Sequence, residues 1–374
     1  MKISPKTIIK RVIILSVMVA PIIFVVKSCL SSDIKKNSGV EMKKVTAKKE
    51  IVPKQEEEPE ITLSFSGDTM FDWGLRPVVQ SKGADYPFQH VKSEIEKADL
   101  SFVNLESVFT NRDKKFPGQL FWIKSDPSTL QAIKNTGYDI VNIGNNHTLD
   151  YWQEGLIDTI SHVEKLGLPY IGAGKNEKDA YTAREVEVKG KKFKFLSFVR
   201  FMPELTWTAG QEKPGVANGY DINFVTKTIQ EQKKDADYMI VYMHWGVEKT
   251  NRPAEYQKQY VQKMVEAGVD AIVGSHPHWL QGFEYYNNVP VAYSLGNFLF
   301  PDYVKNHSAE TGVLTMKFKG KDVQMSFNPY MIRNNQITPT QGQEKQNMLQ
   351  YLQSISKDVQ IGQDGKIVDM KGNY

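Results

Sequence analysis

The sequence predicts an α/β domain built on mixed sheets. Three observations carry that reading. From Ile61 onward, short β-rich runs alternate with helical patterns, which is the signature of crossover connections. One stretch, residues 183–199, reads instead as a hairpin, so the sheets are mixed. Five of the β-rich runs also end in a carboxylate, amide or imidazole side chain, at the edge where α/β folds gather their ligands.

The elements follow in order. "ITLSFSG" (61–67) alternates apolar and polar residues as a strand does, and ends at Asp68. "ADLSFVNLE" is a compact apolar run ending at Glu106. "DPSTLQAIKNTGYD" opens a helix with Asp126 as cap and Pro127 at the first helical position. "YDIVNIGNN" ends in Asn145, Asn146 and His147. "EGLIDTISHVEKLG" is helical and stops at Gly167. "AREVEVKGKKFKFLSFV" is the hairpin, with Gly190 and Lys191 near its turn. "ADYMIVYMHWG" delivers His244, and "PAEYQKQYVQKMVEAGVD" is another helix. "VDAIVGSHPH" delivers His276 and His278 on either side of Pro277. "VPVAYSLGNF" closes the series, and "GQEKQNMLQYLQSIS" predicts a C-terminal helix.

The net charge of +4 is misleading as a global figure. Residues 1–55 carry twelve Lys/Arg against Asp33, Glu41 and Glu50, a balance of +9, so the remainder sums to −5. That excludes a basic surface for nucleic acid on the folded part. Cys29 is the one cysteine, so neither an internal disulfide nor a cysteine metal site is available. Residues 1–11 are basic and residues 12–26 apolar apart from Ser16. A positive segment before a short apolar one reads as an export signal. Without a small-residue cleavage site it is expected to stay as a single-pass signal anchor over 12–30, with the rest of the chain extracytoplasmic. The alternative is a lipoprotein acylated at Cys29. Residues 31–60 are polar, charged and Pro-containing, a flexible linker.

Four of the seven histidines fall at the strand ends. A thiol-free set of carboxylates and imidazoles suits Mn²⁺, Fe, Zn²⁺ or Mg²⁺. The six candidates (Asp68, Glu106, Asn146, His244, His276 and His278) exceed what one structural zinc uses. They suit two divalent metal ions sharing a bridging carboxylate. His147, with Asp150 three residues on to orient it, is what a general acid would look like.

The motifs "GDTM", "NLE", "NNHTLD", "HWGVE", "GSHPH" and "YSLGNF" together resemble the bacterial capsule and poly-γ-glutamate biosynthesis family of the CapA/PgsA type. That family sits within the calcineurin-like metallophosphoesterases. The resemblance covers roughly residues 61–335 and leaves 336–374 as a C-terminal helical extension. It implies a four-layer α/β/β/α sandwich of two mixed sheets behind a transmembrane anchor helix. It implies Asp68 and His278 on one metal, Glu106 bridging, and Asn146, His244 and His276 on the other. His147 and Asp150 become the catalytic pair, Asn104 a support for the metal ligands, and Asn297 a supporting or substrate residue. One departure stands out: the first motif usually reads Asp-x-His, and here Met70 holds the His position. Two functions follow. One is an exported hydrolase of a phosphoester or a γ-glutamyl amide. The other is a non-catalytic scaffold that binds poly-γ-glutamate, or another anionic polymer, and the membrane synthase and export subunits.

Overall fold

The computed structural model describes residues 58–371. The anchor expected over 12–30, Cys29 and all of the linker up to residue 57 lie outside the described residues. Among the described residues no helix is long and apolar enough to cross a membrane.

Two large sheets face each other. The first has ten strands. Its centre is Ile61–Thr69, parallel to Leu100–Leu105, which is parallel in turn to Ile140–Asn142. On its other side the same strand is antiparallel to Glu310–Lys319, which pairs with Asp322–Arg333. The second sheet has six strands. Its parallel core is Lys191–Val199, Tyr238–His244, Ala271–Ser275 and Val289–Leu295. Arg184–Val188 and Leu280–Tyr286 add antiparallel edges.

Alternation along each strand builds the layers. Phe65, Phe102 and Ile140 of one sheet meet Phe195, Ile240, Tyr242 and Val273 of the other in a central core. The next residues in line face outward. Val103 and Val141 pack against Leu130 and Ile133 of helix Leu130–Thr136 and against Leu156, Ile160 and Val163 of helix Trp152–Lys165. Met239, Val241 and Met243 pack against Val225 and Ile229 of helix Ile222–Gln232 and Val261 and Met264 of helix Glu255–Glu266. The order is therefore helix, sheet, sheet, helix. Asp126 caps the turn before Leu130 as expected, accepting from the Ser128 amide.

After residue 335 the chain does more than extend as a helix. Helix Gly342–Ile355 is there, but Gln336–Pro339, Val359–Ile361 and Lys366–Asp369 all join the first sheet. The alternating apolar residues Val359 and Ile367 are buried in the central core, so this segment completes the sandwich.

The first strand ends under a steric constraint. A Cβ on Gly67 would lie 2.1 Å from the Gly296 carbonyl oxygen and 2.9 Å from that of Leu295. Only a glycine lets the two sheets meet here, one residue before Asp68. Gly67→Ala should lower unfolding free energy by about 2 kcal/mol or more, since backbone cannot yield as a side chain can. Urea unfolding measures this, and an unchanged midpoint would contradict the packing described.

Candidate metal centre

Each polar strand end is fixed by its neighbours. Asp68 sits where the first strand shifts register against both Leu100–Leu105 and Asn297–Leu299. Its amide donates to Gly296 O at 2.9 Å. Asn104, its partner across the ladder, donates from Nδ2 to Asp68 Oδ1 at 2.7 Å. Asn142 in turn donates to Asn104 Oδ1 at 2.7 Å, which fixes the orientation of the Asn104 amide. The His276 amide donates to Asp68 Oδ2 at 3.3 Å. Glu106 follows directly, its amide on Thr69 O at 2.9 Å. His244 ends its strand opposite Ser275, whose Oγ lies 2.9 Å from His244 Nδ1. His276 and His278 take left-handed backbone angles, φ 98° and 58°. Such angles are uncommon for residues with a Cβ and cluster at functional sites.

These ends converge. Glu106 Oε1 lies 3.7 Å from His244 Nε2 and 3.8 Å from His278 Nε2, and His278 Nδ1 is 3.5 Å from Asp68 Oδ2. Ligand atoms of Glu106, His244 and His276 lie within 4.8 Å of one another, and so do those of Asp68, Glu106 and His278. Glu106 belongs to both groups. Oxygen and nitrogen ligands of one cation sit about 2.0–2.2 Å from it, so spacings of this order suit a shared ion. Neither oxygen of Glu106 and neither ring nitrogen of His276 has a hydrogen-bond partner, although all four atoms are buried. Buried polar atoms are normally satisfied, and an unpaired one costs about 1–3 kcal/mol. A divalent cation would satisfy the Glu106 oxygens and one His276 nitrogen, and the donor set fits divalent metals.

The electrostatics agree with that fit. Burial pushes the Glu106 carboxyl well up, and the charges of Asp68 and Glu248 push it further. Burial also raises Asp68, against the opposing pull of His278 and Asn104. Burial, then the neighbouring imidazoles, hold His244 and His276 well below the ordinary value. Neutral imidazoles are the form that binds metal.

The remaining expected residues surround this cluster. Asn146 Oδ1 is 2.7 Å from His244 Nε2. His147 Nδ1 is 2.8 Å from Asp150 Oδ2. Asp150 is fully buried and is held in place by the Ile123 amide at 2.7 Å and Gln119 Nε2 at 2.9 Å. Asn297 does not face away as a plain turn residue. Its Oδ1 is 2.8 Å from His278 Nδ1, and its Nδ2 donates to Ser308 O at 2.9 Å. That fixes the amide, so His278 donates from Nδ1 and keeps the Nε2 lone pair toward Glu106.

Met70 offers nothing to the cluster. It is buried in an apolar group with Ile123, Phe300, Ala309 and Ile332. Ser275, Gln119 and Phe201 carry parts that the sequence reading had not assigned. Phe201 stacks on His276, centroids 4.2 Å apart and planes at 26°. It follows the strand Lys191–Val199, a sixth strand end that carries an aromatic side chain in place of a ligand. His307 lies apart, paired with Glu310 at 2.7 Å.

A family model described as "Bacterial capsule synthesis protein PGA_cap" matches residues 62–302. A "Capsule biosynthesis protein CapA" of Bacillus anthracis is 34% identical over 254 residues, 66% of this chain and 61% of that protein. A "PGA biosynthesis protein CapA" of Bacillus subtilis (strain 168) is 33% identical over 242 residues, 64% of this chain and 63% of that protein. The match thus spans less than two thirds of either relative's length. Among solved structures, the NAD nucleotidase NadN of Haemophilus influenzae is similar with TM-score 0.42 and 13% identity, over 80% of this chain and 57% of that one. A score that low carries no argument about the site.

The shifts have opposite signs in the metal-free chain. His244 and His276 sit below 6.5 when folded, so the unfolded chain binds more protons and stability falls as pH drops through 6.5. Glu106 sits above 4.5 when folded, so its contribution falls as pH rises from 4.5 toward the folded value. A cation replaces those protons. Mn²⁺ or Zn²⁺ should therefore raise the thermal unfolding midpoint, and more at pH 8 than at pH 5.5. Equal shifts at the two pH values, read by calorimetry, would remove these side chains as the ligand set.

Proposed function

This chain belongs to the bacterial capsule synthesis protein family PGA_cap, and on that premise we propose that it is a membrane-anchored, extracytoplasmic component of capsule or poly-γ-glutamate biosynthesis with a dinuclear, hydrolase-type metal site. Its relatives' names support the role. Residues 1–30, with cations ahead of an apolar run, support the anchor. One observation carries the chemistry: Glu106 is buried with both oxygens unpartnered, between His244 and His276 on one side and Asp68 and His278 on the other.

Asp68, Glu106 and His278 would hold one divalent cation, and Glu106, Asn146, His244 and His276 a second. Such ions lower the pKa of water and neutralise charge developing on an attacked phosphoester or γ-glutamyl amide. The chain's own residues do the rest. Asp150 accepts from His147 Nδ1, which fixes the ring with Nε2 free; as the imidazolium, His147 would give its Nε2 proton to the leaving group and remain the neutral Nδ1–H ring. Gln119 and the Ile123 amide hold Asp150 against rotation. Ser275 and Asn297 orient the His244 and His278 rings.

A second reading keeps the metals and drops the reaction. Met70 replaces an expected ligand with an apolar side chain, which leaves the first ion fewer protein ligands. The chain beyond residue 55 carries a charge of −5, so a polyanion would be drawn to the bound cations and to the basic tether before residue 55. In that case the protein is a scaffold for anionic polymer and for synthase and export subunits.

Metal analysis of the full chain tests the site both readings share, and His147→Ala separates them. Loaded with Mn²⁺ or Zn²⁺ and repurified, it should retain up to two ions, and His276→Ala should lose at least one. His147→Ala should keep the metal and lose about 10²–10⁴-fold in turnover. A chain that retains no metal would sink the dinuclear site. Metal retention with polymer production intact in His147→Ala would leave the scaffold.

A further inference from the structure

Residues 110–123 join Val108–Phe109 to Lys124–Ser125 without helix or strand. A loop of that length is uncommon in a compact domain and usually carries function. Its stem is fixed. Phe116 is buried, and its amide donates to Asp150 O at 2.8 Å. Trp122 Nε1 donates to Phe116 O at 2.7 Å, and Trp152 Nε1 to Lys115 O at 3.0 Å. Yet the tip that this stem holds is apolar and open to water. Leu120 is 87% exposed and Phe121 63%.

The tip stands at the metal cluster. Gln119 Nε2 donates to Asp150 Oδ1 at 2.9 Å and to Asn146 O at 3.3 Å. On the other side, Phe121 meets the Trp73 ring, Trp73 meets Phe300, and Phe300 meets His278, with centroids 5.9, 6.5 and 5.2 Å apart. The tip is therefore tied both to the His147–Asp150 pair and to His278.

The same segment is basic. Residues 110–124 carry Arg112, Lys114, Lys115 and Lys124 against Asp113, although the chain beyond residue 55 is acidic overall. Arg112 pairs with Asp158 at 2.8 Å and Lys124 with Asp113 at 2.7 Å. Lys114 and Lys115 are exposed and pair with no carboxylate among the described residues. Their Nζ atoms lie 4.8 Å from the Trp152 ring and 4.6 Å from the Trp122 ring. Open apolar side chains beside tryptophans and unpaired lysines suit a lipid interface. The apolar tip enters the acyl boundary, and the cations meet anionic headgroups. A soluble polyanion would match the lysines and leave Leu120 and Phe121 in water. An apolar peptide would cover those two and leave the lysines unpaired.

Resting on the membrane-anchored reading above, we infer that the loop tip, residues 118–121, docks with Lys114 and Lys115 on an anionic lipid surface. The His147–Asp150 pair then lies at the lipid–water boundary, and substrate is met there rather than in bulk solution.

The test is hydrogen exchange on the full chain in lipid nanodiscs, one set of phosphatidylcholine alone and one with phosphatidylglycerol added. Amides 118–121 should exchange at least about fivefold more slowly in the anionic discs, the change that one lysine near a charged surface is worth. The hairpin turn at Lys189 and Gly190 lies at the opposite end of the strand that leads to Phe201, and it should exchange alike in both. Leu120→Ser together with Phe121→Ser should abolish the difference at the tip, and so should Lys114→Gln together with Lys115→Gln. Equal exchange of the wild-type tip in the two sets of discs would overturn the inference and leave the anchor standing. A difference that survives either double variant, or that the turn at 189–190 shares, would also overturn it. A full chain that enters neither set of discs would end both.

Discussion

Glu106 is a carboxylate buried to zero exposure with neither oxygen hydrogen-bonded. Taking a lone carboxylate out of water costs far more than a marginally stable domain can absorb, unless the group is neutralised or paired. Asp68, in the same group of side chains, has the same sign and makes matters worse. The surrounding imidazoles, His244 and His276, are kept neutral by their own burial and so bring no positive charge. Divalent cations would resolve the conflict for these groups together, since Glu106 is shared by two groups of side chains whose ligand atoms lie within 4.8 Å of one another.

The two sheets exist, in this respect, to bring that conflict about. Asp68, Asn104 and Glu106 come from neighbouring parallel strands of one sheet, and His244 and His276 from neighbouring parallel strands of the other. Parallel strands point their carboxyl ends the same way, so each sheet delivers its ligands to one edge. Face-to-face packing through Phe65, Phe102, Ile240 and Tyr242 then brings the two edges together. The left-handed angles at His276 and His278 are the local cost of turning two successive imidazoles inward. Bonds from the His276 amide to Asp68 and from Lys249 to Pro277 O hold the turn in that shape.

Orientation in this site is carried by amides and hydroxyls more than by charges. Asn142, Asn104 and Asp68 form one relay, Ser308, Asn297 and His278 another, and Gln119 secures Asp150 behind His147. Neutral partners fix geometry without adding charge to an already crowded electrostatic environment. At His278 the fixed Asn297 amide also decides which ring nitrogen is left with a lone pair.

The strands, the capped helix after Asp126 and the ligand types were legible in the sequence, because periodicity, capping chemistry and donor type are local properties. Chain order also placed each ligand just past an apolar run, and that was enough to gather them at one edge. Three things were decided only by the tertiary structure. The segment after residue 335 became part of the sandwich because Val359 and Ile367 find the central core, a contact between residues far apart in sequence. Met70 went into an apolar pocket made by Ile123, Phe300 and Ile332, none of them near it in the chain. Gln119 and Phe201 acquired their places from what lies across the site, since a side chain that orients another is defined by its partner and carries no spacing signal of its own.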